Sequence, residues 1–283
     1  MKTILVGDTH LKSRMILPIV EKNIAKYEIG QIVMLGDYLD DWNCSIDSKL
    51  YWDELNYLIE WKNRIEKSGV KVITLLGNHD APYLIGELKH YSLHKDFDMV
   101  PGNRRVADVI SDKLTELGVQ IAYQLDDFLV SHAGYCMGQN LQDWHLRELT
   151  LSDSDLRSIK ELENRVSKSR GGWSLVPSPL WADFHELLDS PNPDYPKQIV
   201  GHTPQEKINI ENGLQTPYQL INIDTFNLAP QKGYPYYEYR GDGDLLLYDK
   251  GELSVIKTNW RNKTNLEQIY AQRSRDRGNE DEK

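Results

Sequence analysis

The chain has 283 residues and a formal net charge of −10, with 43 Asp and Glu against 33 Lys and Arg. That length can bury a sizeable core, and the acidic balance disfavours non-specific nucleic-acid binding or docking on an anionic membrane. Cys44 and Cys136 are too few for a disulfide framework, and no apolar run approaches a membrane span. The apolar stretch before Gly7 is too short for a signal peptide, so a cytoplasmic protein with free thiols is expected.

In chain order, residues 2–7 read as a buried strand, with Ile4-Leu5-Val6 running into Gly7-Asp8-Thr9-His10. Met15, Ile16, Ile19, Val20, Ile24 and Tyr27 have helical spacing over 14–28, with Gly30 at the expected C-cap. Residues 31–35 form a second strand that stops at Gly36 and releases Asp37, Tyr38, Leu39, Asp40 and Asp41. Residues 48–67 are an amphipathic helix closed by Gly69, and 70–76 a third strand running into Gly77-Asn78-His79-Asp80. Strand and helix alternating at this spacing imply parallel βαβ units.

Residues 81–100 read as short helices over the site, and 105–117 as a helix. Val119–Leu125 and Phe128–Ser131 pair around Asp126-Asp127, and the second strand ends in His132-Ala133-Gly134. Residues 139–190 read as a helical insertion that shapes the substrate pocket. Gln198-Ile199-Val200 ends in Gly201-His202-Thr203-Pro204. Lys207–Glu211 and Leu214–Thr216 flank the turn signal Asn212-Gly213, followed by strands at 219–223, 245–248 and 253–257. The chain is expected to form one domain over 1–261, with a charged, disordered tail at 262–283.

Asp8, His10, Asp37, Asn78, His132 and His202 all follow strand ends, where open α/β sheets bind ligands. Any one of them alone more often caps a helix or fills a rim. Together they offer carboxylate, amide and imidazole donors that suit Mn, Fe or Zn, and a two-metal site centred on Asp37 is expected. Two ions can activate a hydroxide and neutralise phosphate oxygens. His79 then stands ready as the leaving-group acid, oriented by Asp40 or, second, by Asp80. His90, His94, His145 and His185 have no matching context and read as solvated or structural. The tryptophans read as core or pocket wall.

The motifs Asp8-Thr9-His10, Gly36-Asp37-Tyr38-Leu39-Asp40, Gly77-Asn78-His79-Asp80, Ser131-His132-Ala133-Gly134 and Gly201-His202-Thr203 together resemble the calcineurin-like metallophosphoesterase family. The resemblance implies a four-layer α/β/β/α sandwich with two central mixed sheets. It implies one metal on Asp8, His10 and Asp37, a second on Asp37, Asn78, His132 and His202, and a His79–Asp40 acid pair. Gly-His-Thr without a second His, Leu180-Trp181-Ala182-Asp183 and Asn222-Ile223-Asp224-Thr225 are similar to the phosphoprotein phosphatase branch, which includes the symmetrical dinucleoside tetraphosphatases. Departures are Leu11 for Gly, Asp41 and Trp42 for Arg and Gly, and Asp80 for Glu. The missing Arg is a phosphate ligand of that branch, and Arg104, Arg105, Arg147 and Arg170 are the candidates to replace it. Asp41 reads equally well as an exposed loop residue.

The resulting expectation is a phosphoesterase using two divalent ions, Mn first, in which a metal-bound hydroxide attacks a phosphomonoester of a protein or nucleotide. Symmetrical cleavage of a dinucleoside polyphosphate is the alternative within the enzyme class. A catalytically silent binding module on the same fold is the rival outside it.

Overall fold

The structure is a computed structural model and describes residues 1–93, 99–100, 104–150, 152–213, 217–231 and 237–273. The first half builds parallel βαβ units: β1 (Thr3–Val6), α1 (Ser13–Tyr27), β2 (Gln31–Met34), α2 (Ser48–Lys67) and β3 (Lys71–Thr74). Asp47 opens α2 by accepting from Leu50 N at 2.9 Å. Glu28, not Gly30, takes the left-handed position that ends α1, at φ 57°. Gly30 instead joins the sheet, its N–H bonding Lys2 O and its carbonyl accepting from Lys71 N.

The chain continues through α3 (Ala81–Ile85), the short ladder β4 (Met99–Val100) and β5 (Arg104–Arg105), and α4 (Val106–Leu117). The hairpin β6 (Ala122–Leu125) and β7 (Phe128–Ser131) follows. Between 139 and 190 lie a 3-10 turn at Asp143–Leu146, α5 (Asp153–Glu163) and α6 (Phe184–Asp189), separated by long loops. The last strands are β8 (Lys197–Val200), β9 (Asn209–Asn212), β10 (Gln219–Asn222), β11 (Leu228–Pro230), β12 (Tyr237–Tyr239), β13 (Leu245–Asp249) and β14 (Glu252–Ile256). The hairpin expected between 207–211 and 214–216 is not the pairing found: β9 pairs with β10, and Asn212, expected in the turn, faces Gln219 inside the ladder; residues 214–216 lie outside the described residues, as does His94.

Two five-stranded mixed sheets result, in the orders β14-β13-β1-β2-β3 and β6-β7-β8-β10-β9. Alternation decides the layers. Leu5, Val33 and Ile73 point inward to meet Val130, Ile199 and Ile221 of the other sheet. Ile4, Val6, Ile32 and Met34 face outward onto α1, α2 and α4. Val200 and Leu220 face α6 through Phe184 and Leu187. This is the expected four-layer α/β/β/α sandwich.

The expectation for the C-terminal tail is corrected. Residues Lys263–Arg273, expected within a disordered tail, form helix α7; residues 274–283 lie outside the described residues. The segment is polar, so periodicity did not mark it. It is anchored by buried Ile269 and Arg273 and by the Tyr270 hydroxyl donating to Tyr237 O at 2.6 Å. Trp173, expected as core or pocket wall, is 90% exposed, whereas Trp42 lines the cleft over the site.

Candidate active site

The loops leaving β1, β2, β3, β7 and β8 share one rim. Thr9 and His10 N–H groups donate to Asp37 O at 3.2 and 2.7 Å, fastening the first loop to the second. Two glycines permit this crowding. A Cβ on Gly77 would lie 2.0 Å from Asp37 Oδ1, and one on Gly201 2.2 Å from Asp8 Oδ1. His10, Leu11, Asp37, Asp40 and His202 all hold φ between 40° and 64°. Such left-handed non-glycine residues cost about 1–2 kcal/mol each and gather at functional sites. Leu11 therefore keeps the backbone shape expected of the glycine it replaces.

Asp37 lies at the middle of the cluster. Its Oδ2 is 3.5 Å from His10 Nε2 and its Oδ1 3.5 Å from His132 Nε2. Donor atoms of Asp8, His10 and Asp37 form one group within 4.8 Å, and those of Asp37, His132 and His202 another. His10 Nδ1 bonds Asp40 O at 2.8 Å and His132 Nδ1 bonds Leu35 O at 2.8 Å. These carbonyl partners assign the proton to Nδ1 and leave each Nε2 a lone pair facing the cluster. His132 Nε2 lies 2.9 Å from Asn78 Oδ1, which can only accept, and 3.2 Å from His202 Nδ1. His202 Nε2 is buried with no partner among the described residues. This donor set fits divalent cations.

The electrostatics agree. Burial lowers the pKa of His10, His132 and His202, keeping the imidazoles neutral as ligands must be. Burial opposes ionisation of Asp37, but a proton on His132, His79 or His10 outweighs it and holds its carboxyl below the usual value. Burial, Asp224 and Asp37 push Asp8 up, a crowding of carboxylates that a cation relieves.

His79 Nδ1 lies 3.1 Å from Asp40 Oδ2. Burial works against the charged imidazole, yet Asp37 and Asp40 raise it to about 9. Asp40 also accepts from the hydroxyls of Tyr51 at 2.7 Å, Tyr83 at 2.6 Å and Ser92 at 3.3 Å. Sequence reasoning missed these three donors; Tyr51 was visible only as part of an apolar helix face. Asp80, the second candidate to orient His79, has both carboxylate oxygens engaged with backbone N–H groups. Its Oδ1 accepts from Tyr38 and Leu39 N–H and its Oδ2 from Gly77 N–H, so it ties the second loop to the third. Tyr91 packs its ring 4.5 Å from that of His79.

A cleft of about 500 Å³ opens over these groups. Arg170, Trp181 and Arg240 line it, so the 139–190 segment does reach the pocket. Of the four candidate arginines only Arg170 arrives there, its Nη2 bonding His202 O and Thr203 Oγ1 at 3.2 and 2.9 Å and its Nε 3.0 Å from Asp183 Oδ2. Arg104 and Arg105 pair with Asp112 and Asp108, and Arg147 with Asp155. Asp41 is not an exposed loop residue: its carboxylate is nearly buried between Lys12 and Arg273. Of the remaining histidines, His145 is buried against Tyr135 and His185 is largely exposed beside Asp183. His90 stands at the cleft edge.

No curated protein matches the chain. Among solved structures, a cold-active protein-tyrosine phosphatase of the psychrophile Shewanella sp. superposes with a TM-score of 0.51 and 18% identity over 90% of this chain and 77% of that one. A protein serine/threonine phosphatase from Saccharomyces cerevisiae superposes with a TM-score of 0.50 and 14% identity over 90% and 79%. At these identities the likeness concerns the fold. The model of the calcineurin-like phosphoesterase family matches residues 1–222. A match over most of the chain, on the fold and donor clusters described above, means that the chain belongs to the calcineurin-like phosphoesterase family and is a metal-dependent phosphoric ester hydrolase.

Proposed function

We propose that the chain hydrolyses a phosphomonoester of a phosphoprotein or nucleotide with two divalent ions, manganese first among them. Asp8, His10 and Asp37 would hold one ion, and Asp37, Asn78, His132 and His202 the other. The observation that carries this reading is Asp37, a single carboxylate shared by both donor groups. Ions held there supply an activated water as nucleophile and neutralise charge on phosphate oxygens.

The chain's own residues do the rest. Arg170, about a quarter exposed, offers its guanidinium to the phosphate oxygens from the side of His202. His79 donates from Nε2 to the departing oxygen while Asp40 holds Nδ1–H. Tyr51, Tyr83 and Ser92 keep the Asp40 carboxylate in place. Cys44 and Cys136 are buried free thiols, which suits a reducing, cytoplasmic setting.

The test is hydrolysis of an aryl phosphate, a phosphoserine peptide and a dinucleoside tetraphosphate by the Mn²⁺-loaded chain. Chelator-sensitive release from either of the first two is expected. Preference for the tetraphosphate would favour the symmetrical hydrolase reading, and no turnover of any substrate by the metal-loaded chain would favour the binding module.

A further inference from the structure

Two buried oxygens on one wall of the cleft have no donor among the described residues: Asp224 Oδ1 and Asn227 Oδ1. Asp224 is 1% exposed and Asn227 7%, and both line the cleft together with His10, Asp37 and His202. The geometry holding Asp224 there is firm. Its N–H donates to Asn222 Oδ1 at 2.9 Å, and its carbonyl accepts from Asn227 Nδ2 and Gln205 N, both at 2.8 Å. The chain leaving β10 also lies hard against the chain leaving β1, since a Cβ on Gly7 would sit 2.2 Å from Ile223 O. The same Cβ would lie 3.1 Å from Asp224 Cα, so Asp224 sits against the turn that carries Asp8.

A fixed, buried carboxylate oxygen without a donor is costly. It is costlier still among other carboxylates, and Asp8 and Asp37 are both close. A hydrated cation removes both costs. Asp224 is not part of the group whose donor atoms lie within 4.8 Å of one another, which sets it one layer outside the direct ligands. A carboxylate in that layer acts by accepting from water on the ion.

We propose that Asp224 is a positioning carboxylate of the metal centre: its free Oδ1 accepts a hydrogen bond from water carried by the ion at Asp8, His10 and Asp37, and thereby sets the affinity of that site. The proposal rests on the two-ion reading above.

The test is calorimetric titration of the full chain with Mn²⁺ alone, for the wild type and Asp224→Asn, with thermal melts of both after chelation. The expected result is a loss of about 10–100-fold in Mn²⁺ affinity at one site, with the other unchanged. The metal-free variant should melt at or above the wild-type temperature, because a repelled carboxylate has gone. Asp224→Glu, which keeps the charge, should recover part of the affinity. Equal Mn²⁺ affinities at both sites of wild type and Asp224→Asn overturn the proposal alone. A variant that fails to fold, or melts lower without metal, overturns it in favour of a structural role. A wild-type chain that binds no Mn²⁺ overturns the two-ion reading and this proposal with it.

Discussion

The Lys12 ammonium lies 2.7 Å from the Asp41 carboxylate beneath the cleft, and Arg273 of α7 closes on the same carboxylate from the other side. Burial opposes ionisation of Asp41, but Arg273 and Lys12 hold it well below the usual carboxylate value. Asp41 occupies the place where the resembled branch carries an arginine, and a carboxylate there would repel phosphate. Here its charge is paired with two cations, Lys12 and Arg273, which more than balance it. Asp41→Arg, which restores the branch residue, would set three cations together. It is expected to destabilise the fold by about 3–5 kcal/mol, the range for breaking a buried ion pair, and not to raise activity. Denaturant melts of the variant check this.

His79→Asn is expected to lower kcat by about 10²–10⁴ on an alkyl phosphate, the usual contribution of a positioned acid, and by much less on an aryl phosphate whose leaving group needs no proton. Mn²⁺ binding should be retained. An equal loss on both substrates would remove the acid role.

The His79–Asp40 pair sets a pH dependence. In the folded, metal-free chain His79 is raised from 6.5 to about 9. The stability that its charge contributes is therefore complete below about pH 6.5 and is lost as pH rises toward 9. Melts of the chelated protein between those values should fall with pH, less steeply in His79→Asn. Cations held on Asp37 as proposed would cancel part of its pull, so the alkaline limb of kcat should lie below pH 9. Asp40→Asn should move that limb to lower pH still.

Arg170→Met is expected to raise KM and weaken inhibition by orthophosphate, by about 10-fold or more each, because a charge-assisted contact is worth about 1.5–3 kcal/mol. Arg104, Arg105 and Arg147, engaged with Asp112, Asp108 and Asp155, should tolerate the same change with kinetics unaltered.

Gly77→Ala places a methyl 2.0 Å from Asp37 Oδ1. Both donor groups share Asp37, so calorimetry with Mn²⁺ should show both sites weakened together, whereas Gly69→Ala, at φ 92° with open space around it, should strain only the turn after α2 and leave both sites intact.

The direct donors were legible because each sits within a few residues of a strand end, and strands of Ile, Val and Leu bounded by Gly announce themselves locally. His79 was legible for the same reason. Asp40 was named as its partner, but the three hydroxyls that hold Asp40 were not, since Tyr51, Tyr83 and Ser92 come from separate elements. Asp80 stood equally near in sequence, and only the loop crossing turned its oxygens to backbone N–H groups.

The sequence by itself determined the two βαβ units, the strand-end donors, the family and the kind of chemistry, because short-range periodicity and local motifs encode them. Tertiary structure alone decided which arginine reaches the cleft, where the Asp41 charge goes, that a polar segment becomes α7, and that Asp224 lines the cleft against the chain leaving β1. These are meetings between residues far apart in the chain, such as Asp41 with Arg273 and Asp8 with His202. Electrostatics and close packing act through space, so no spacing along the sequence records them.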